Sequence, residues 1–402
     1  LHKSVKREIE VELAHYSRRS QLKVELYYQN QQVITQDKYF AGKKGKLELI
    51  VKEPHLWWPN GLGPQNLYQL KIKVFTFRGE LIDSKESRIG LRTLRLIREK
   101  DRWGESFYFT CNGVPFFAKG GNWIPADHFI PRLKKEHYQY LLRSCAQANM
   151  NMIRVWGGGI YEEDIFYDLC DELGLCVWQD FMFACAAYPA DRQFLTNVEA
   201  EIRDNLKRLR HHPCLALYCG NNEIEQLKMV GNQQQRPENM SWSEYRKLFD
   251  RLLPQLVKQL DPQRDYWPSS AHTPGRWRKI DANHPEAGDA HLWMVWHGRA
   301  PFEYYMRNPE GRQKFDWHGK PNYPKPDYLS SSRKRLIPQV LYKGGILKAW
   351  HKKQAVVLQK SFFETLPEIE LAVLIGSVAL HEDQPLITPK LHNFFSKGNT
   401  IN

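Results

Sequence analysis

A short apolar stretch that ends in a polar tip, residues 214–223 (CLALYCGNNE), most constrains the fold of this chain. Residues 214–219 have the length and continuous hydrophobicity of a strand buried on both faces, as in a parallel sheet. Gly220 ends the apolar run, and two asparagines then precede a carboxylate, Glu223. In a (β/α)8 barrel, catalytic groups lie on the loops that follow the strands. The stretch predicts such a strand with Glu223 at its functional end; a strand that merely ends in polar loop residues is the alternative.

The first part of the chain, up to residue 97, is predicted to be all-β. Segments of β-branched and apolar residues alternate there with turn-forming residues such as Gly42 and Gly79. The segments predicted as strands are residues 5–13, 22–28, 46–51, 67–77 and 91–97. Their number and the length of the region are typical of one β-sandwich of the immunoglobulin type. We therefore assign residues 1–97 to an immunoglobulin-like β-sandwich domain.

From about residue 107 the pattern changes to short apolar strands that alternate with longer amphipathic helices. The predicted strands are residues 115–120, 151–156, 175–181, 214–219, 266–269, 290–296 and 355–363, and the predicted helices are residues 134–147, 162–173, 194–211 and 245–260. Such alternation predicts a parallel barrel. No eighth strand can be placed. The predicted fold is α/β with an all-β N-terminal domain, in which the sandwich precedes an incomplete (β/α)8 TIM barrel over residues 98–402.

Residues 307–354 form a basic tract that interrupts the barrel pattern. The tract carries 12 Lys or Arg against three acidic residues, so it holds a net +9 of the formal +13 of the chain. Its Pro and Gly residues and its lack of periodicity predict an irregular insertion. Because the excess charge is confined to this one tract and no known nucleic-acid-binding motif accompanies it, we expect no nucleic-acid partner.

The cysteine and hydropathy patterns indicate the cellular compartment in which the protein is expected. The seven cysteines include no CxxC pair, and the apolar surroundings of Cys170, Cys176, Cys214 and Cys219 predict buried free thiols. The chain has no apolar run of about 18 residues and no hydrophobic signal core at its start. We expect a soluble protein without a membrane partner, with a cytoplasmic location slightly favoured. The sequence leaves the oligomeric state open.

Further polar and aromatic clusters follow the predicted strands. They are residues 120–127 (GGNWIPAD), 154–160 (RVWGGGI), 179–181 (QDF) with 187–189 (AYP), and 291–298 (HLWMVWHG). Each cluster alone is also compatible with a turn, a structural ion pair or core packing. The glycines at 157–159 lack the spacing of a dinucleotide-binding fingerprint, so we expect no nucleotide cofactor.

Seven motifs between about residues 45 and 305 resemble those of β-mannosidases of glycoside hydrolase family 2, in the order found in that family. They are LWWPNGLGPQNLY, GGNWIPAD, NMIRVWGGGIYE, VWQDFMFACAAYP, HHPCLALYCGNNE, YWPSS and GDAHLWMVWHG. The resemblance implies a retaining exo-hydrolase that removes terminal non-reducing β-D-mannose from oligosaccharides or glycoconjugates, without a metal or cofactor. The alternatives are an inactive sugar-binding relic of the family and a related exo-β-glycosidase, such as an exo-β-glucosaminidase.

The resemblance also implies roles for particular residues. Glu223 matches the general acid/base, which requires a pKa raised by burial and by a neighbouring carboxylate. Asn222 matches the residue that donates a hydrogen bond to the sugar 2-hydroxyl. Other residues match positions that line the sugar pocket; they are Trp123, Asp127, Arg154, Trp156, Asp180, Trp293 and His297.

The nucleophile of a retaining glycosidase must be a second carboxylate about 5 Å from the first. The family carries it on strand seven, in a Ser-Glu-Phe-Gly pattern shortly before a Leu/Phe-Pro-Glu segment, here residues 366–368. Counting back from this segment puts Lys360 at the nucleophile position, and Glu364 is the remaining candidate. A lysine there would pair with Glu223 and keep it deprotonated. Family membership and turnover by this chain are therefore separate predictions.

Overall fold

The computed structural model describes residues 4–101, 104–231, 239–284, 287–291 and 293. The strands within these ranges are β1 (Ser4–Tyr28), β2 (Gln31–Lys52), β3 (Tyr68–Thr76), β4 (Leu81–Ile89), β5 (Leu94–Ile97), β6 (Lys100–Asp101), β7 (Gly104–Glu105), β8 (Tyr108–Cys111), β9 (Val114–Phe116), β10 (Gly120–Trp123), β11 (Met152–Val155), β12 (Cys176–Asp180), β13 (Leu215–Cys219) and β14 (Asp265–Trp267). The α-helices are α1 (Lys135–Gln147), α2 (Asp164–Leu173), α3 (Arg192–Leu209), α4 (Trp242–Tyr245) and α5 (Leu253–Leu260), and a π-helical segment, Arg246–Leu252, joins the last two.

The first four strands form one antiparallel sheet in the order β2-β1-β3-β4. A straight strand of the length of β1 would span about 80 Å at ~3.3 Å per residue. Leu22, near one end of β1, and Val51, whose partner lies near the other end, are nevertheless buried in one hydrophobic cluster. The sheet therefore curls on itself, as in a β-sandwich. Irregular register along residues 12–20 marks the bend.

This sheet corrects two strand predictions. The segments 5–13 and 22–28 belong to a single strand, β1, because the polar residues between them stay extended through the bend. The strand β4 was not anticipated, since its sequence LIDSKESRI is polar. It lies at the edge of the sheet, where its first six residues are exposed, so its sequence lacks the alternation of apolar residues that predicts a strand.

The first predicted barrel strand is also corrected. Residues 114–116 form β9, which pairs antiparallel with β8 rather than joining the parallel sheet. Asn112 and Gly113 both have positive φ (51° and 79°), as a two-residue hairpin turn requires. The parallel sheet begins instead at β10, whose sequence GGNW is too rich in glycine to be recognised as a strand.

The strands β10 to β14 form a parallel sheet in consecutive order, and α1, α2 and α3 connect the first four of them. Asp191 begins α3 by accepting a hydrogen bond from the Phe194 N–H (3.0 Å), and Gly174, with φ of 72°, ends α2. All residues of β12 and β13 are buried. This is the arrangement of a (β/α)8 barrel through its fifth strand.

The rest of the barrel is predicted in parts of the chain that lie outside the described residues. These parts include the strand at 355–363, the basic tract 307–354, His297, Lys360 and Glu364. Of the strand predicted at 290–296, only residues 290, 291 and 293 are described, and they are not in a strand. Closure of the barrel therefore stays a prediction.

The LWWPNG motif of the first region packs against the barrel. The Trp57 indole is completely buried, and its Nε1–H donates to the Asp171 carbonyl (2.8 Å). Asn60 donates to the carbonyls of Ala146 and Met150 (both 2.9 Å). The boundary at residue 97 stays a prediction; the pairing of β5 with β8 favours a position before Leu94.

The cysteine prediction is confirmed within the described residues. All seven cysteines are free, and those predicted to be buried, Cys170, Cys176, Cys214 and Cys219, are buried. No helix in the described part of the chain is long and apolar enough to cross a membrane.

Candidate active site

The loop that follows β13 holds Glu223 in a fixed place. The Gly220 N–H donates to the Trp267 carbonyl (2.7 Å). The Asn221 side chain donates to the Pro268 carbonyl (2.9 Å) and accepts from the Ser269 hydroxyl (2.7 Å), which ties the loop to the end of β14. Glu223 itself has a φ of 59°, an uncommon conformation for a residue with a side chain. Backbone strain that the surroundings enforce in this way is typical of functional sites.

The two oxygens of the Glu223 carboxylate have different surroundings. Oε1 accepts a hydrogen bond from the Trp293 Nε1–H (2.6 Å) and lies 2.5 Å from Nδ1 of His291. Oε2 lies 4.0 Å from the Cys185 sulfur. Glu223 is only 5% exposed, whereas Cys185 is exposed, so Oε2 is the oxygen on the side of an exposed residue.

Several interactions set the pKa of Glu223. Burial raises the pKa of this carboxyl, but the contacts with His291 and Trp293 and the charge of Arg154 outweigh burial, so the pKa lies below its usual value. This corrects the raised pKa expected for a general acid. The neighbouring carboxylate that would raise it is not among the described residues.

Arg154, in β11, is hydrogen-bonded to Asn222, which precedes Glu223, and to residues of the flanking strands β10 and β12. Its guanidinium donates to Asp180 (2.7 and 3.2 Å), to the Asn222 side-chain oxygen (2.8 Å) and to that of Asn122 (3.2 Å). The Asn222 amide nitrogen in turn lies 3.2 Å from the Cys185 sulfur, to which it donates. These two contacts fix the Asn222 side chain, with its oxygen toward Arg154 and its amide nitrogen toward Cys185.

The three glycines after Trp156 lie where the chain is closely packed. A Cβ atom at Gly157 would overlap the Phe183 carbonyl oxygen, and one at Gly158 would overlap the Trp156 indole itself. Trp156 is half-buried, with its backbone N–H donating to the Trp123 carbonyl (3.1 Å). The RVWGGG motif is therefore explained by close packing around Trp156 and not by phosphate binding.

Gly158→Ala is expected to displace the Trp156 indole, because the new methyl group would occupy the space of the ring. The measurement is the indole N–H resonance of Trp156 in a ¹⁵N-correlated NMR spectrum, assigned with Trp156→Phe. Gly121→Ala is the matched control, since a Cβ there meets no atom within 4 Å. An unshifted Trp156 resonance in Gly158→Ala would contradict the packing described above.

Two residues expected to line the pocket belong elsewhere. The Trp123 side chain is 1% exposed; it donates from Nε1 to Glu162 (2.8 Å) and stacks on Tyr138, so it is a core residue. Asp180 is completely buried and accepts from Arg154, the Trp178 indole (2.9 Å) and the Gly157 N–H (3.0 Å). Asp180 therefore positions Arg154 and does not face a ligand.

Asp127 is paired on one side only. Its Oδ1 accepts from Arg132 (2.6 Å) and from the Phe129 N–H (2.7 Å), which lowers the pKa of the carboxyl. Its Oδ2 is buried without a hydrogen-bond partner among the described residues. A role for Asp127 in binding stays a prediction, as does that of Trp156; His297 lies outside the described part of the chain.

Sequence reasoning did not assign site roles to several residues that the structure brings to Glu223. They are His291, Cys185, Asn122, Ser270 and Asp289. His291 is the first residue of the HLWMVWHG cluster, so the sequence does carry a signal for it. Cys185 is exposed, whereas the six other cysteines are buried, and no sequence signal separates it from them.

One group of described residues offers metal-ligand atoms close together, namely Asp171, His212 and Cys214. Both oxygens of the Asp171 carboxylate are already hydrogen-bonded: Oδ2 lies 2.6 Å from Nδ1 of His212, and Oδ1 accepts from the Cys214 backbone N–H (2.9 Å). The group lies at the start of β13, whereas Glu223 follows its end. Its geometry is that of a buried structural contact remote from the site.

Comparisons with known proteins relate this chain to glycoside hydrolases. A model of the family Glycosyl hydrolases family 2 matches residues 2–92. A second model, Restriction endonuclease NotI, matches residues 292–376, which include the whole basic tract and of which the structure describes only Trp293. β-Mannosidase B of Aspergillus flavus is 42% identical over 263 residues, 64% of this chain and 31% of that protein.

Two further relatives extend the match. β-Mannosidase B of Aspergillus fumigatus is 36% identical over 319 residues, 77% of this chain and 37% of that protein. The crystal structure of the β-D-mannosidase from Dictyoglomus thermophilum superposes with a TM-score of 0.71 and 33% identity, covering 94% of this chain and 49% of that one. The chain thus spans about a third of the length of the curated relatives it matches. It is a β-mannosidase-like protein of glycoside hydrolase family 2.

Proposed function

We propose that this chain carries the substrate site of a retaining exo-β-mannosidase, which removes terminal non-reducing β-D-mannose from oligosaccharides or glycoconjugates. The proposal rests on one observation above all: a buried glutamate follows the fourth parallel strand, with one carboxylate oxygen held by two hydrogen-bonding groups and the other 4.0 Å from the exposed Cys185. The similarity to β-mannosidases from two different organisms, over most of this chain, supports mannose as the sugar.

In this proposal Glu223 is the general acid/base. It protonates the oxygen of the leaving group and then accepts a proton from the attacking water. Asn222 has one amide hydrogen left after its contact with Cys185, and this hydrogen can donate to the sugar 2-hydroxyl. Arg154 holds Asn222 in that orientation through its side-chain oxygen (2.8 Å).

The nucleophile would come from the segment predicted as strand seven, where Lys360 occupies the matched position and Glu364 follows. A lysine cannot form a glycosyl ester. The activity of the chain as it stands therefore depends on whether Glu364 or another carboxylate reaches the site.

The experiment is hydrolysis of 4-nitrophenyl β-mannoside, β-glucuronide and β-glucosaminide by the full chain, with Lys360→Glu and a control charge change, Lys353→Glu. We expect the mannoside to give the highest kcat/KM. Preference for another sugar would overturn the choice of mannose and favour a related exo-β-glycosidase. A parent and control without turnover, beside an active Lys360→Glu, would assign the chain to an inactive relic of the family.

A further inference from the structure

A chain of hydrogen bonds leads away from Glu223 into the protein. Nδ1 of His291 lies 2.5 Å from Glu223 Oε1, and Nε2 of the same ring lies 2.8 Å from the Ser270 hydroxyl oxygen. The Ser270 hydroxyl in turn lies 2.6 Å from Oδ2 of Asp289. The other oxygen of Asp289 accepts from the Trp267 indole (2.8 Å) and from the His272 N–H (2.9 Å). Asp289, Ser270 and His291 thus form one continuous path to the proposed acid/base.

The chemistry of these groups fixes the direction of each hydrogen bond. An ionised carboxylate only accepts, so the single hydroxyl proton of Ser270 points to Asp289. Ser270 can then only accept from His291, which places a proton on Nε2 of the ring. Nδ1 is left facing a carboxylate oxygen at 2.5 Å, and two lone pairs at that distance would repel. A proton must therefore lie between Nδ1 and Oε1.

We propose that Asp289 and Ser270 fix the tautomer of His291, so that His291 and Glu223 share one proton between Nδ1 and Oε1 and Oε2 alone exchanges protons with the substrate. His291 is a positioning residue in this scheme, because it acts through Glu223. The shared proton stays in place during the reaction. A second proton leaves Oε2 for the leaving-group oxygen and returns to Oε2 from the attacking water, so the count is restored after each cycle.

The surroundings of Glu223 and His291 support separate roles for the two carboxylate oxygens. Trp293 donates to Oε1 as well (2.6 Å), which leaves that oxygen no open direction toward a ligand. Within the described part of the chain, the titratable or charged groups that bear on the pair include the Cys185 thiol, 4.0 Å from Oε2, Arg154, which lowers the pKa of Glu223, and Asp289 itself. Burial raises the pKa of the Cys185 thiol, and so does the Glu223 charge, whereas the contact with Asn222 lowers it; the net effect is a raised pKa, which keeps the thiol neutral beside Oε2.

The test is the ¹⁵N NMR spectrum of the full chain labelled in histidine, recorded as a function of pH, with His291 identified among the 15 histidines by His291→Gln. We expect Nε2 of His291 to carry a proton in the folded protein, because the Ser270 hydroxyl oxygen accepts from it. In Ser270→Ala, Nε2 loses its acceptor, so the neutral ring should carry its proton on Nδ1, directed to Glu223.

The neighbouring Ser269→Ala is the matched control, because the Ser269 hydroxyl donates to Asn221 and does not touch His291. We expect this variant to keep the His291 signals of the parent. A neutral His291 with a bare Nε2 in the parent would overturn the proposal, even if Ser270→Ala failed to fold. An unchanged tautomer in folded Ser270→Ala would overturn it too.

This inference rests on the proposed function for its meaning, but its spectrum does not need turnover. A chain that shows the predicted tautomer and hydrolyses no mannoside would contradict the proposed function alone. A chain that hydrolyses mannosides with a bare Nε2 would contradict the proton path alone.

Discussion

Replacing Glu223 by glutamine is expected to lower kcat/KM for a β-mannoside with a poor leaving group by about 10²–10⁴-fold, the usual contribution of general acid catalysis. Glutamine keeps the size of the side chain and an oxygen that can accept from Trp293, but it has no proton to give. A mannoside with a good leaving group, such as 2,4-dinitrophenolate, needs little protonation. Cleavage of this substrate should therefore be slowed much less, and the ratio of the two kcat/KM values is the measurement.

Glu225→Gln is the matched control for this ratio. Glu225 lies two residues further along, is buried, and contacts His272 and Arg278 (2.8 and 2.9 Å) rather than the site opening. Its substitution should lower stability without changing the preference between leaving groups, because the ratio does not depend on the folded fraction. Equal losses on both substrates in Glu223→Gln would give Glu223 a structural role only.

The largest expected effect on stability is that of Asp180→Asn, which should lower the free energy of unfolding by about 3–5 kcal/mol, since a buried ion pair that loses one partner leaves an uncompensated charge. The Asp180 side chain is completely buried, and that of Arg154 is 12% exposed. Burial lowers the pKa of Arg154, but Asp180 raises it, with the net effect above its usual value, so the guanidinium stays charged. Urea unfolding of parent and variant measures the change.

Asp168→Asn provides the comparison. Asp168 pairs with Arg88 at 3.0 Å, but both side chains are more than a third exposed (39% and 37%). A solvent-exposed ion pair of this kind contributes only about 0–1 kcal/mol to the free energy of unfolding. Similar unfolding midpoints for Asp180→Asn and the parent would show that Asp180 does not hold Arg154 in the way described.

The sequence predicted those elements of the fold whose residues are uniformly apolar. The run at 214–219 is such a case, and it became β13, buried throughout. Prediction failed where a strand is short of apolar side chains, as in the glycine-rich β10 and the polar edge strand β4. It also failed at β9, because a strand of an antiparallel hairpin and a parallel strand of similar length have the same local pattern.

The candidate site was predicted as a set of strand ends but not as a set of side-chain directions. Successive residues of a strand point to opposite faces of the sheet, so a shift of one residue exchanges pocket and core. Trp123 therefore points to Tyr138 on α1, while Arg154 points to Asn222. The contact between Glu223 and His291 joins residues 68 positions apart, and no local pattern carries that information.

The most direct test of the central claim, that Glu223 is the acid/base of a retaining β-mannosidase, is the anomeric configuration of the product formed by Glu223→Ala from an activated β-mannoside in the presence of azide. Removal of the carboxyl leaves space where water would attack, and azide needs no base. We predict an azide-dependent rise in rate and β-mannosyl azide as the product. The α-mannosyl azide would instead make Glu223 the nucleophile, and no effect of azide on the variant of an active parent would contradict the claim.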